Sequence, residues 1–417
     1  MRDEICELVT RRQFIAGLGS SMLLVACSGR TVSVFEPRQT TDVTTGVKPG
    51  LLGSPTDRVL VLVEMGGGND GLNMVVPYAS DAYYDMRGNI AVQEPIDLGD
   101  GVGLNPELGF VADEYEAGRV ALIEGVGMPD PDLSHFVSMA SWWSAKPDSS
   151  DGTGWLGRYL DGTVGYTEPL AGIAIGPGPS RALLGSSSYA VAIRDETGLN
   201  PQLPGWIDSS DELVGMWSGF APGGAENEND PVRRAIGTAV EARDQLATAL
   251  DGTVAARTRR PSIYNEMLLA ARLINSRIGT TVIYIHGSGD FDTHLDQAAR
   301  HTDLMAQFNE ALSAFWRELG PNAGKVTLLT ASEFGRRPKE NGSGTDHGTA
   351  AAHMLIGPKV AGGRYGEPPS LNNLDGSGNL VHAVDYRSVY ATIHDEFLGA
   401  DADTILGKSY ERLGVIV

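Results

Sequence analysis

Apolar runs and amphipathic stretches alternate along most of this chain. Val59-Leu60-Val61-Leu62-Val63 is a continuous apolar run, as expected of a strand buried on both faces. Val120 to Glu124, Ala171 to Ile175, Thr281 to His286, Val326 to Thr330 and His353 to Ile356 read as further strands. Between them lie helical patterns at Glu107 to Ala117, Phe136 to Ser144, Pro231 to Leu250, Ser262 to Ile278 and Leu295 to Leu319, with a late one at Tyr386 to Leu398. In Leu295 to Leu319 the apolar residues Leu304, Phe308, Leu312 and Phe315 recur at helical spacing with charges between. Such alternation predicts an α/β fold, a mostly parallel sheet with helices on both faces, over a single domain spanning 58–417. The least regular stretch, 189–229, is rich in Gly, Pro, Ser and acidic residues and reads as a cap insertion or a long surface excursion. Gly362 to Asn379 reads as a loop.

The first residues read as targeting. Thr10-Arg11-Arg12-Gln13-Phe14-Ile15 is a twin-arginine signal, and the apolar stretch Ile15 to Ala26 is shorter than the ~20 residues a membrane-spanning helix needs. Leu24-Val25-Ala26-Cys27 resembles a lipoprotein processing box. We therefore expect a signal peptide over 1–26, a lipidated Cys27 and a flexible tether to residue 57. The expected location is outside the cytoplasmic membrane, lipid-anchored on its outer face or periplasmic, with membrane contact through the lipid only and the twin-arginine export machinery as a partner. Cys6 and Cys27 are the only cysteines, and Cys6 lies in the removed segment, so the mature chain forms no internal disulfide.

The 417 residues suffice for a sizeable core. A formal net charge of −21 repels nucleic acid and anionic lipid, which argues against nucleic-acid binding. An anionic substrate needs a local cation to overcome this field.

Three Asp and three His fall just after strand candidates, where an α/β sheet places its ligands. In Asp292-Thr293-His294, residues two apart point to one side of an extended segment and can share a cation; alternatively Asp292 caps the next helix. Asp346-His347-Gly348 can turn both side chains inward where glycine frees the backbone, or form a polar turn. Glu333 is a candidate ligand, ligand support or general base, and Arg336 a candidate oxyanion holder; the two can equally pair as a salt bridge. Asp70, in the turn Gly66-Gly67-Gly68-Asn69-Asp70, is a ligand candidate or a turn residue, and the turn's amides can bind an anion. Ser134 is an N-cap or an activated nucleophile, with His135 a ligand, a substrate contact or a base. Phe136, Trp142 and Trp143 read as core or pocket wall. His286, His301, His353 and His394 read as structural, and His382 is kept as a further ligand candidate.

Together, Gly66 to Tyr78 (GGGNDGLNMVVPY), Ser134-His135-Phe136, Phe291 to His294, Ser332 to Arg336, Gly344 to Gly348 and Asp385 to Tyr390 (DYRSVY) resemble the exported bacterial family known as domain of unknown function 1501, over roughly Arg58 to Val417. That family is in turn similar to the alkaline phosphatase and sulfatase superfamily. The resemblance implies an alkaline phosphatase-like fold with two divalent cations (Zn, Mn, Mg or Ca). Asp70, Asp346 and His347 would hold one, Asp292 and His294 the other, with Ser134 as nucleophile and His382 or His353 as a late ligand. The chain departs from that superfamily in the close spacing of Asp292 and His294. The sulfatase nucleophile signature, Cys or Ser followed by Pro and Arg, is also absent around Ser134. The expectation is an exported metal-dependent hydrolase of phosphate or sulfate esters, acting on an anionic small-molecule or polymer ester. The alternatives are a non-catalytic lipoprotein serving binding or assembly, and a hydrolase of another ester such as a polysaccharide substituent.

Overall fold

The computed structural model describes residues 33–34, 52, 57–146, 152–165, 167–194, 208–223, 230–250 and 262–417. The twin-arginine segment, Cys27 and most of the tether lie outside them. No helix of the described residues is long and apolar enough to cross a membrane.

The core is one mixed sheet. Its main strands are β1 (Val59–Glu64), β2 (Val120–Gly127), β3 (Gly172–Ile175), β4 (Val191–Ile193), β5 (Val282–Ile285), β6 (Val326–Ala331), β7 (Ala351–Ile356), β8 (Gly363–Gly366) and β9 (Val384–Asp385). From one edge the order is Ser33–Val34, then β4, β3, β5, β1, β6, β7, β2 and β8, with β9 also on β2. Six of its nine pairings are parallel; β7 runs against both β6 and β2, and Ser33–Val34 runs against β4. This is an α/β fold with a largely parallel sheet, as the apolar pattern predicts.

Both faces are buried because successive side chains on a strand point to opposite sides. Val59, Val61 and Val63 pack with Leu269, Met305, Phe308, Leu312 and Phe315 from helices Ser262–Ser276 and Gln297–Leu319. Leu60 and Leu62 face the other way, in a core shared with Trp142, Trp155, Tyr159, Tyr390 and Phe397. The aromatic contacts there are close: Trp155 stacks on Tyr390 with centroids 3.9 Å apart, and Trp142 stacks on Tyr386 at 4.5 Å.

The structure differs from the sequence reading in several places. Val191–Ile193, inside the stretch read as a cap insertion or a surface excursion, is a buried strand of the central sheet, and Ser210–Phe220 is a helix. Residues 195–207 and 224–229 of that stretch lie outside the described residues. Gly363–Gly366, read as loop, pairs in parallel with β2. The late helix turns to π-geometry over Ile393–Leu398.

Strand direction places the site. β1, β2, β5 and β6 all leave the sheet at the same edge. The antiparallel β7 enters from that edge, so the residues just before it return there too.

Candidate metal centre

The segment after β2 runs into helix His135–Ser144, which starts at Ser134. The segment after β5 carries Asp292 and His294. A short hairpin after β6, Arg336–Glu340 against Thr345–His347, sets His347 opposite Arg336. His135, Asp292 and His347 thereby offer three ligand atoms within 4.8 Å of one another.

The hydrogen bonds behind these side chains decide what they offer. His135 Nδ1 lies 2.8 Å from Glu333 Oε1, and His347 Nδ1 lies 2.8 Å from the Leu133 carbonyl oxygen. Carboxylate and carbonyl oxygens are acceptors, so each Nδ1 donates. In the neutral ring each Nε2 then holds a lone pair. Those lone pairs face one carboxylate: His135 Nε2 is 3.5 Å from Asp292 Oδ2, and His347 Nε2 is 3.2 Å from Asp292 Oδ1. Three electron-rich atoms gathered this way suit a cation, and imidazoles locked through the far nitrogen are the usual support of metal-binding histidines. The two-nitrogen, one-oxygen set fits Zn²⁺, Mn²⁺ or Fe.

His294 Nε2 sits beside the cluster, 3.0 Å from His347 Nε2 and 3.1 Å from Asp292 Oδ1, while its Nδ1 is 3.6 Å from the exposed Asp346. Burial raises the Asp292 carboxyl, but the hydrogen bond and charge of Arg336 outweigh it and hold it below the usual range. Burial lowers His347 against the pull of the Leu133 carbonyl, which favours the neutral imidazole that a metal requires.

Two expectations are corrected by partners distant in sequence. Asp70 is fully buried and not part of this cluster, and both its oxygens are taken. Oδ1 accepts from the amides of Leu72 (3.1 Å) and Asn73 (3.2 Å) and from Arg87 Nη2 (2.9 Å); Oδ2 accepts from Arg87 Nη1 and Gln297 Nε2. No lone pair is left to bridge a cation. Arg336 is buried and holds main chain rather than an oxyanion. It donates to the carbonyls of Gly67, Gly68 (2.8 Å), Phe291 (3.2 Å) and Thr345 (2.9 Å), and to Asp292 Oδ1. It ties the glycine turn to the loop that carries Asp292.

That turn must be glycine. Gly67 and Gly68 have φ of +110° and +85°, and a Cβ would meet Asp292 N at 2.4 Å and the Phe334 ring at 2.5 Å. Its amides are also engaged, Gly67 N to Glu333 Oε1 (2.8 Å) and Asn69 N to Ser332 Oγ (3.0 Å). Glu333 thus orients His135 while being itself held.

The remaining candidates separate cleanly. Ser134 is the exposed N-cap residue of its helix, but its hydroxyl makes no capping bond. His382 makes no hydrogen bond or ion pair with the cluster among the described residues; it packs beside Gly127. His353 is a core residue against Trp142. Glu64, passed over in the sequence, ends β1 beside Glu333. Its Oε2 accepts from the Tyr284 hydroxyl at 2.6 Å and Trp143 Nε1 at 3.0 Å. Burial pushes its pKa up to about 7. The available signal was an acid closing an otherwise apolar strand.

Comparison with curated protein sequences gives no significant match. Among solved structures the chain is similar to Ps i-CgsB, at 9% identity and a TM-score of 0.37 over 84% of this chain and 75% of that one. It is also similar to a protein in the alkaline phosphatase superfamily from Vibrio parahaemolyticus, at 8% identity and a TM-score of 0.32 over 80% and 68%. A third is alkaline phosphatase from the Antarctic bacterium TAB5, at 10% and 0.30 over 73% and 92%. The family described as protein of unknown function (DUF1501) matches residues 224–411, the stretch that carries Asp292, His294, Glu333, Arg336, Asp346, His347 and His382.

Proposed function

We infer that this protein is a metal-dependent hydrolase of phosphate or sulfate esters, exported and working outside the cytoplasmic membrane. The observation that carries the reading is the pair of histidines whose Nδ1 protons are fixed on Glu333 and on the Leu133 carbonyl. Their Nε2 lone pairs converge on Asp292. A divalent ion bound there supplies Lewis acidity to an ester oxygen and lowers the pKa of an attacking hydroxyl or water. Ser134 is the protein's own candidate for that attack, since its hydroxyl is exposed, free of the cap and next to His135. Glu333 keeps the His135 ring in register. Arg336 positions Asp292. His294 and Asp346 border the cluster on its open side and are the residues that a second ion would use.

A binding or assembly role without turnover has one observation in its favour. The Arg336 guanidinium and the Gly67 and Asn69 amides, the natural stabilisers of a transition-state oxyanion, are all occupied by the protein itself. Elemental analysis of the purified protein, with a panel of chromogenic phosphate and sulfate esters, tests both readings. His347→Ala and Asp292→Asn should lose metal and turnover together. Ser134→Ala should keep the metal and lose turnover. Metal retained with no turnover on any ester decides for the binding role, and retained turnover in His347→Ala overturns the hydrolase site.

A further inference from the structure

Apart from the terminal Val417, the two most exposed large apolar side chains among the described residues are Phe136, at 89%, and Leu295, at 65%. Each directly follows a histidine of the metal region. His135 and His294 close on the same Asp292 carboxylate, at 3.5 Å and 3.1 Å. Val137, 48% exposed, is a further exposed apolar residue in the first turn of the helix, where no acidic residue stands. None of the three belongs to the hydrophobic clusters of the core. A phenyl or isobutyl group left in water forgoes burial worth about tenfold to a hundredfold in a binding constant. Exposed apolar surface beside a polar, convergent site marks the place of a ligand.

We propose that Phe136 and Leu295 are specificity-determining residues that receive an aryl or alkyl substituent of the substrate, whose anionic group sits at His135, Asp292 and His347. The proposal rests on the metal-centre reading and narrows the substrate class to esters with an apolar leaving or retained group. The surroundings favour a small ligand over a lipid surface. Asp132, Asp290, Asp296 and Asp346 are all exposed around the same loops and repel a sheet of anionic headgroups, whereas the single anionic group of a small ligand reaches the bound cation that offsets them.

The test uses the full chain loaded with zinc and two chelators with one head group, benzohydroxamate and acetohydroxamate, measured by calorimetry. Wild type should bind the phenyl compound at least about tenfold more tightly than the methyl one. In Phe136→Ser/Leu295→Ser that preference should fall to nearly one, with zinc stoichiometry and denaturation midpoint unchanged. A preference that survives in the double variant overturns the proposal, as does zinc-loaded wild type that binds neither chelator. Wild type that takes up no zinc overturns the metal-centre reading itself, a distinct failure. Co-sedimentation with phosphatidylcholine vesicles that the double variant loses, without any aryl preference, assigns the rim to a membrane and also overturns it.

Discussion

Replacing Asp70 by Asn separates a structural carboxylate from a metal ligand. The carboxylate and the Arg87 guanidinium are both fully buried, and Asp70 accepts from Leu72, Asn73, Arg87 and Gln297. Burial raises its carboxyl, but the charge of Arg87 dominates together with His301 and the hydrogen bonds, and the group stays ionised. Asn keeps the shape, yet it removes the charge and turns one acceptor into a donor aimed at Arg87 or Gln297. A buried guanidinium without its partner costs about 3–5 kcal/mol. Against a typical total of about 5–15 kcal/mol, that is a fifth or more of the stability. Guanidinium denaturation of wild type and Asp70→Asn at pH 7, with metal content measured on both, is the assay. The variant should show a much lower midpoint and bind the same metal per folded chain. Adding Arg87→Met to Asp70→Leu should recover part of the loss, because the unpaired charge goes with its partner. An unchanged midpoint with lost metal would refute the structural assignment and return Asp70 to the ligands.

Other outcomes follow from buried groups and close contacts. The Glu64 carboxyl, raised by burial to about 7, holds its proton more tightly folded than unfolded. The stability it contributes is therefore full below about pH 4.5 and is lost as pH rises through 7; Glu64→Gln should unfold later than wild type at pH 8, by up to roughly 3 kcal/mol, and equally at pH 4. Burial lowers His353 to about 4, with neither ring nitrogen hydrogen-bonded. Here stability should fall as pH drops from 6.5 toward 4, by up to roughly 3 kcal/mol, and His353→Leu should flatten that part of the profile. Arg336→Lys keeps the charge but cannot reach four carbonyls and Asp292 together, so metal affinity should fall at least about tenfold in a chelator competition. Gly68→Ala, strained by φ and by the Phe334 ring, should destabilise the turn by about 1–3 kcal/mol in denaturant titration.

The sheet was legible because strands buried on both faces are unbroken apolar runs. Strands without that burden were not: Gly363–Gly366 lies at the sheet edge, and Arg336–Glu340 is charged at every position but Pro338. Helix Trp155–Thr163 escaped because its buried face includes Arg158 and Asp161. Arg158 is satisfied by the carbonyls of Ser144, Thr153 and Ile405, and Asp161 by Ser186, Ser187 and Ser188. At the site, Asp292, His135 and His347 were named from their place after strands. Their division of labour was not, since a glycine-rich turn carries a ligand or a structural Asp in the same local sequence. Only Arg87 and Gln297, the latter 227 residues away, distinguish the two.

The strand order also bears on whether the molecule can be divided. β5 and β6 come from the carboxyl-terminal half, yet β1 lies between them, and β2 lies between β7 and β8. The stretch 224–411, expressed alone, would hold β5 to β9 with vacant lanes where Val59–Glu64 and Val120–Gly127 belong, and Asp292 and His347 without His135. The halves are interleaved like the fingers of two hands. A nick between them would leave one particle, and neither half carries the metal centre by itself.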